Sequence, residues 1–246
     1  MISVTILTKN NQQTLKATLE SVKSFSEVLV YDTGSTDDTL LIAESFPNVV
    51  IFQGPFEGFG RTHNTASSLA ARDWILSLDS DEVLSPSLAL EIQTLALDTN
   101  CVYELSRNNF YNEKWIKWCG GWYPDSVARL YHRKVTRFSD DAVHEKILSE
   151  GLRKVRLSSP LSHVPYRSVE DFLKKMQMYT SLFADQYPGK SASLGKAILH
   201  GWFAFFKSYV LKRGFLGGKE GYIISAYNGH TTYYKYLKVL EKHTKH

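Results

Sequence analysis

Cysteine is scarce in this chain of 246 residues. Cys101 and Cys119 are too few for a disulfide framework and lack the paired spacing of a zinc knuckle, so two reduced thiols are expected. Long apolar runs are missing too: no stretch reaches the roughly 18 residues that would mark a membrane-spanning helix. No basic segment stands before the apolar run that opens at Ile2, so a secretory leader is not expected. There is no internal repeat and no low-complexity tract. With 43% hydrophobic and 22% charged residues the chain is neither disordered nor collagen-like. What remains is a length sufficient for one large core, or one core with an appendage.

The net charge of +4 is unevenly divided. Residues 1–150 hold 13 Lys and Arg against 20 Asp and Glu, whereas residues 151–246 hold 16 against 5. An acidic body followed by a strongly basic tail suggests a catalytic part and a surface-seeking part. Charge alone does not separate an anionic membrane from a nucleic acid as the tail's partner.

The first hundred residues alternate short β-rich runs with helix-period runs. Val4–Leu7, Val28–Tyr31, Val49–Phe52 and Trp74–Leu78 read as strands, with helical stretches after each and Pro86 at the first turn of a helix reaching about Leu97. This alternation predicts an α/β fold, a mostly parallel sheet with helices on both faces, in which ligands bind at the carboxyl ends of the strands. The polar clusters at 8–10, 32–38 and 79–82 all fall at such ends and are expected to meet along one rim. Beyond Cys101 the pattern turns to short strands and aromatic loops. Asn108–Pro124 reads as a loop over the site, and Val127–Tyr131, Val143–Leu148 and Val155–Leu157 read as strands. Ser168 with Asp171 predicts a capping box, and two helices are expected over Leu194–Leu211 and Lys219–Lys242. The division expected is a nucleotide-binding and catalytic domain over 1–165 and a basic helical extension over 166–246.

Asp79-Ser80-Asp81 is the most informative cluster. Two carboxylates two residues apart at a strand end can converge on a hard cation such as Mg²⁺ or Mn²⁺. Asp32, ending the second strand, can accept from an N–H of a nucleobase. Gly34 permits close backbone approach, and the helix start behind Ser35 favours phosphate oxygens. Asp37 and Asp38 read better as helix caps. Arg61, in a glycine-containing loop, matches the geometry of a diphosphate.

Together, Ser3–Asn10, Asp32-Thr33-Gly34-Ser35-Thr36-Asp37-Asp38-Thr39, Gly58-x-Gly60-x-x-x-Asn64 and Asp79-Ser80-Asp81-Glu82 resemble glycosyltransferase family 2 over roughly the first hundred residues. The resemblance implies a GT-A fold, a nucleotide-sugar donor and a divalent metal. Gly120–Asp125, Arg129-Leu130-Tyr131 and Val143-His144-Glu145 resemble the subgroup of lipopolysaccharide core β-glucosyltransferases. That likeness implies UDP-glucose or a related donor and a lipid-anchored, heptose-containing acceptor. Carried over by position, Thr8, Asp32 and Arg61 contact the nucleotide, with Asn10, Gly34 and Ser35 in the same loops. Asp79 lies near ribose and metal, and Asp81 is the principal metal ligand. The Glu-Asp catalytic pair usual in the family has no evident counterpart.

Inverting transfer needs a carboxylate to take the acceptor's proton. Glu145 and Asp125 are the candidates, with Glu145 placed first because His144 beside it can serve phosphate or metal. Of Trp115, Trp118, Trp122 and Tyr123, some are expected to stack on sugar and at least two to fill a core. The aromatic and basic run Gly201–Arg213 suits either a membrane interface, at the inner face of the cytoplasmic membrane, or a buried helix. Two competing readings are a sugar-nucleotide nucleotidyltransferase and a non-catalytic module that binds an anionic surface. The first lacks a glycine-rich loop after the first strand. Nucleic acid is not expected as a partner, since no recognition motif is present and the front half is acidic.

Overall fold

The computed structural model describes residues 1–141 and 145–244. The chain forms two compact units, one of residues 1–107 and 126–163 and the other of residues 108–125 and 164–246. The second unit therefore takes in 108–125, a segment the sequence reading placed with the first domain.

In the first unit, β1 (Ile2–Thr8), β2 (Val28–Asp32), β3 (Val49–Gln53) and β4 (Trp74–Asp79) pair in parallel in the spatial order β3-β2-β1-β4. Successive side chains of a strand point to opposite faces. Val28 and Val30 accordingly join one core with Leu15 and Leu19 of α1 (Leu15–Ser21) and Ala43 of α2 (Thr39–Glu44). Leu29 and Tyr31 join a second core with Ala66 of α3 (Phe59–Leu69). Apolar side chains on both faces explain why these strands read as continuous hydrophobic runs. α4 (Pro86–Thr94) starts at Ser85, whose hydroxyl accepts the Leu88 N–H, with Pro86 at its first position.

The sheet continues through antiparallel strands. β5 (Glu82–Leu84), β6 (Cys101–Tyr111), β8 (Ser126–His132) and β9 (Arg153–His163) complete the order β3-β2-β1-β4-β8-β6-β9-β5. The result is a mixed α/β sheet flanked by helices, and its parallel part is the one predicted from the sequence. The strand expected over Val143–Leu148 is reduced, among the described residues, to a single bridge between Phe138 and Ile147.

The second unit contains β7 (Lys114–Trp115), α5 (Val169–Gln186), α6 (Leu194–Phe206) and α7 (Gly218–Thr244). Part of the loop expected over Asn108–Pro124 is in fact a hairpin: β7 folds back on β6 with Phe110 opposite Trp115. Asn112 and Glu113 at its tip both have positive φ, the backbone a two-residue hairpin requires, and that signal is weak in an Asn-Glu pair. Ser168 and Asp171 form the expected capping box. The helix expected to reach Leu211 gives way at Lys207 to one π-helical turn, then to a 3₁₀ turn over Gly214–Gly217. A side chain at Gly214 would meet the Ser208 carbonyl oxygen at 2.9 Å, so only glycine fits where this turn folds under the helix. Trp118 and Trp122 pack in the core with Tyr111, Phe172 and Ile224, while Trp115 lies edge-on to the exposed Tyr123. Both cysteines are buried free thiols.

Candidate active site

The parallel register aligns three strand ends. Thr8 stands opposite Asp32, and Leu7 opposite Asp79. The rim inferred from sequence therefore exists, and it brings Thr8, Asp32 and Asp79 onto adjacent strands.

Asp32 is fully buried and its carboxylate builds its own loop. Oδ2 accepts from the N–H groups of Gly34 (3.0 Å) and Ser35 (2.9 Å), and Oδ1 accepts from the Ser35 hydroxyl. Three of a carboxylate's roughly four acceptor positions are thus taken. Gly34 adopts a φ of 101°, which an L side chain resists. Asn10, also left-handed, ties the two loops together: its N–H donates to the Ser35 hydroxyl (2.9 Å) and its amide oxygen accepts the Thr36 N–H (2.8 Å). Asp37 accepts the Thr39 N–H at the start of α2, as a cap should, while the Asp38 side chain makes no cap bond. The Thr8 hydroxyl, buried at the end of β1, has no hydrogen-bond partner among the described residues.

Beside this loop pair, Asp79, Glu82, Arg129 and Arg107 form a charge network. Arg129, on β8 and only 6% exposed in its side chain, donates Nη2 to both Asp79 Oδ2 and Glu82 Oε1, the latter at 2.8 Å. Arg107 Nη1 reaches the same Glu82 oxygen at 3.2 Å, and Glu82 Oε2 accepts the Asp79 N–H at 3.0 Å. Burial works against ionising Asp79, but the neighbouring Arg129 guanidinium outweighs it and holds the carboxyl well below the usual range. Burial likewise opposes charge on Arg129, and the two carboxylates reverse that and hold its proton firmly.

Asp81 points elsewhere. β5 pairs with β9 so that Glu82 stands opposite His163, and this register carries the His163 ring to Asp81, with Nε2 at 3.5 Å from Oδ1. Both side chains are mostly buried. Asp79 and Asp81 are therefore divided between two partners, an arginine and a histidine.

Arg61 is exposed on the first turn of α3, and no hydrogen bond or ion pair among the described residues joins it to the rim. The glycine motif around it has a structural task. A side chain at Gly60 would strike the Ser139 carbonyl oxygen at 1.8 Å, and Asn64 exchanges two hydrogen bonds with the backbone of Phe138, at 3.0 and 2.9 Å. The motif clamps the 138–141 segment onto α3.

A cavity of about 600 Å³ opens among Asp79, Arg107, Arg129, Glu145, Glu104 and Lys154. Glu145 lines it, and burial, reinforced by the charge of Asp79, raises its pKa above that of a free glutamate. Asp125 belongs to the second unit, where Oδ2 accepts from Asn109 Nδ2 at 2.9 Å. His144 lies outside the described residues. Among those residues no group of three or more His, Cys, Asp and Glu side chains is gathered as a metal cluster.

The sequence shows Glu82 and Arg129 within motifs but assigns neither a role, and it gives no sign of His163. An arginine inside the apolar run Val127–Tyr131 was a signal for a buried ion pair, since such a side chain is buried only when paired. His163 carried no local signal, because its place depends on the β5–β9 register.

Residues 3–155 match the model of Glycosyl transferase family 2. An uncharacterized glycosyltransferase of Rickettsia felis is 29% identical, over 91% of this chain and 84% of its own. The lipopolysaccharide core biosynthesis glycosyltransferase LpsC of Rhizobium meliloti is 25% identical, over 98% of this chain and 93% of its own. Among solved structures, TarS of S. aureus aligns with a TM-score of 0.47 at 18% identity. That alignment covers 87% of this chain but 45% of the longer TarS chain.

Proposed function

The chain belongs to glycosyl transferase family 2, and we propose that it transfers glucose from UDP-glucose, with inversion, onto an inner-core heptose of lipopolysaccharide or a similar glycolipid. The observation that carries this reading is the alignment of Thr8, Asp32 and Asp79 on three adjacent parallel strand ends, with Asp81 and His163 beside them. Likeness to LpsC over nearly the whole chain supports the glycolipid acceptor. With a lipid-linked acceptor, the working position is peripheral, at the inner face of the cytoplasmic membrane. No described helix is long and apolar enough to cross it.

Thr8, Asn10, Asp32, Gly34 and Ser35 form the nucleotide end of the site. The unpartnered Thr8 hydroxyl is a hydrogen-bonding group held ready for a ligand. A divalent cation, Mg²⁺ or Mn²⁺, fits the Asp81 carboxylate, and the His163 imidazole beside it favours Mn²⁺, since nitrogen ligands suit transition metals better than the oxygen-seeking Mg²⁺. Asp81 and His163 are its protein ligands in this reading. When bound, the ion would offset the charge that develops on the departing diphosphate. Asp79, fixed by Arg129, remains ionised and faces the ribose side of the donor. Arg61 would meet the diphosphate from the first turn of α3.

Glu145 serves as the base. The acceptor hydroxyl attacks the anomeric carbon, the bond from that carbon to the diphosphate oxygen breaks, the proton passes to the Glu145 carboxylate, and UDP leaves. Its place in the cavity with Asp79 and Arg129 suits a base, and burial raises its pKa above that of a free glutamate, which makes it the stronger proton acceptor. A second reading gives this role to Asp125, favoured by the hydrogen bond from Asn109 that fixes its carboxylate.

The test is transfer of radiolabel from a panel of nucleotide sugars to truncated lipopolysaccharide. UDP-glucose is expected to label the acceptor. Glu145→Gln is expected to cut turnover by roughly 10²- to 10⁴-fold while UDP binding is unchanged. If Asp125→Asn does this and Glu145→Gln does not, the second reading replaces the first. If no nucleotide sugar labels the acceptor, the proposed substrates are wrong.

A further inference from the structure

We propose that the exposed face of α6, with the turn that follows it, is a docking surface for a bilayer containing anionic lipid. This deepens the membrane-face setting given above but stands on the surface of the second unit alone.

α6 buries the wrong side for a soluble amphipathic helix. Ala197 and Gly201 are its buried residues, and a side chain at Gly201 would meet Tyr233 Cβ at 2.9 Å, so α6 approaches α7 closely through its smallest side chains. Most of its large apolar residues face outward. Leu194, Ile198, Leu199, Trp202 and Phe203 are each at least half exposed, Leu199 and Trp202 by 64% and 62%. At 3.6 residues per turn these five fall within about half the helix circumference, an arc that excludes Ala197 and Gly201. Phe215 and Leu216, in the turn beyond, are half exposed as well. A contiguous apolar face of this kind marks an interaction site.

The charge around it selects the occupant. From residue 186 to residue 219 the chain carries six basic residues and no acidic one. Lys196, Lys207, Lys212 and Arg213 are exposed and have no carboxylate partner among the described residues. A second copy of the chain would bring two such positively charged faces together, which electrostatics opposes. An anionic bilayer supplies both the apolar phase and the countercharge, and tryptophan is at home at that boundary.

The experiment is co-sedimentation of the full chain with vesicles of phosphatidylcholine alone and of phosphatidylcholine mixed with phosphatidylglycerol, at low and high salt, alongside light scattering without lipid. The protein is expected to bind the mixed vesicles roughly tenfold or more tightly than the neutral ones, with the difference shrinking at high salt. Trp202→Ser with Phe203→Ser is expected to weaken binding to mixed vesicles about tenfold. Lys212→Gln with Arg213→Gln is expected to lower binding to mixed vesicles and leave neutral vesicles unaffected. Because these side chains are exposed, both double variants should melt within about 2 °C of the parent. Equal binding to both vesicle types, no binding to either, or a dimer that Trp202→Ser with Phe203→Ser dissociates would each overturn the proposal. None of these readouts needs catalysis, so their failure leaves the transferase reading standing.

Discussion

The two units handle apolar surface and charge in opposite ways. In the first, strands β1, β2 and β4 bury both faces, and charge is concentrated at their carboxyl ends, where Asp79, Glu82, Arg129 and Arg107 neutralise one another inside the protein. In the second, α6 turns its small residues inward and most of its large apolar residues outward, and Lys196, Lys207, Lys212 and Arg213 have no acidic partner among the described residues. Charges held inside by partners make a rigid, pre-set site. Apolar and basic groups left without partners make a surface that waits for something else. Within one chain, burial of charge and exposure of apolar surface both point to function, because each departs from what stability alone selects.

This contrast can be broken at several strengths. The largest effect on stability is expected at Arg129. Arg129→Met leaves Asp79 without its cation and Glu82 with Arg107 alone, and removing one partner of a buried pair costs about 3–5 kcal/mol. Denaturant unfolding checks this, and a loss under 1 kcal/mol would mean the network is not tightly coupled. Trp202→Ser with Phe203→Ser is the opposite pole, expected to leave stability almost untouched.

A smaller, pH-dependent effect is expected at His63. Its ring is buried on α3, stacked on Phe138 at 4.4 Å and hydrogen-bonded through Nδ1 to the Ser77 hydroxyl at 3.1 Å. Burial pushes its pKa down to about 4, against the pull of Asp79 and with help from Arg129. Because the folded value lies below the unfolded one, the unfolded chain takes up this proton first as pH falls. Stability should therefore drop between about pH 6.5 and pH 4, by up to about 3 kcal/mol from this group. His63→Gln should flatten that slope in urea unfolding followed across pH. An unchanged slope would show that His63 does not carry it.

Much of the first unit is legible in the sequence because its signals are local. Apolar runs ending in Asp32 and Asp79 mark both the strands and the rim, and Ser168 with Asp171 marks a helix start. The glycine motif at Gly58–Asn64 was visible too, yet its task is clamping Phe138 and Ser139, partners more than seventy residues away. Distant pairing hides the rest. Arg129 reaches Asp79 through the β4–β8 ladder, and His163 reaches Asp81 only because β9 runs antiparallel to β5. A one-residue slip in either register would turn those side chains to the other face, and nothing near them in sequence sets it. The Asn112-Glu113 hairpin escaped for a different reason: its left-handed backbone is held by the burial of Tyr111 and Ile116 rather than by glycine.

The proposed function requires that the rim bind UDP together with a divalent ion through Asp81. Thermal unfolding of the parent chain and of Asp81→Asn, each with UDP alone and with UDP plus Mn²⁺, tests it directly. A ligand that binds only the folded state raises the melting temperature in proportion to the logarithm of its concentration once saturating. A further rise is expected on adding Mn²⁺ to the parent with UDP, with loss of that increment in Asp81→Asn. An equal Mn²⁺-dependent increment in both proteins, or no response of the parent to UDP, would contradict it.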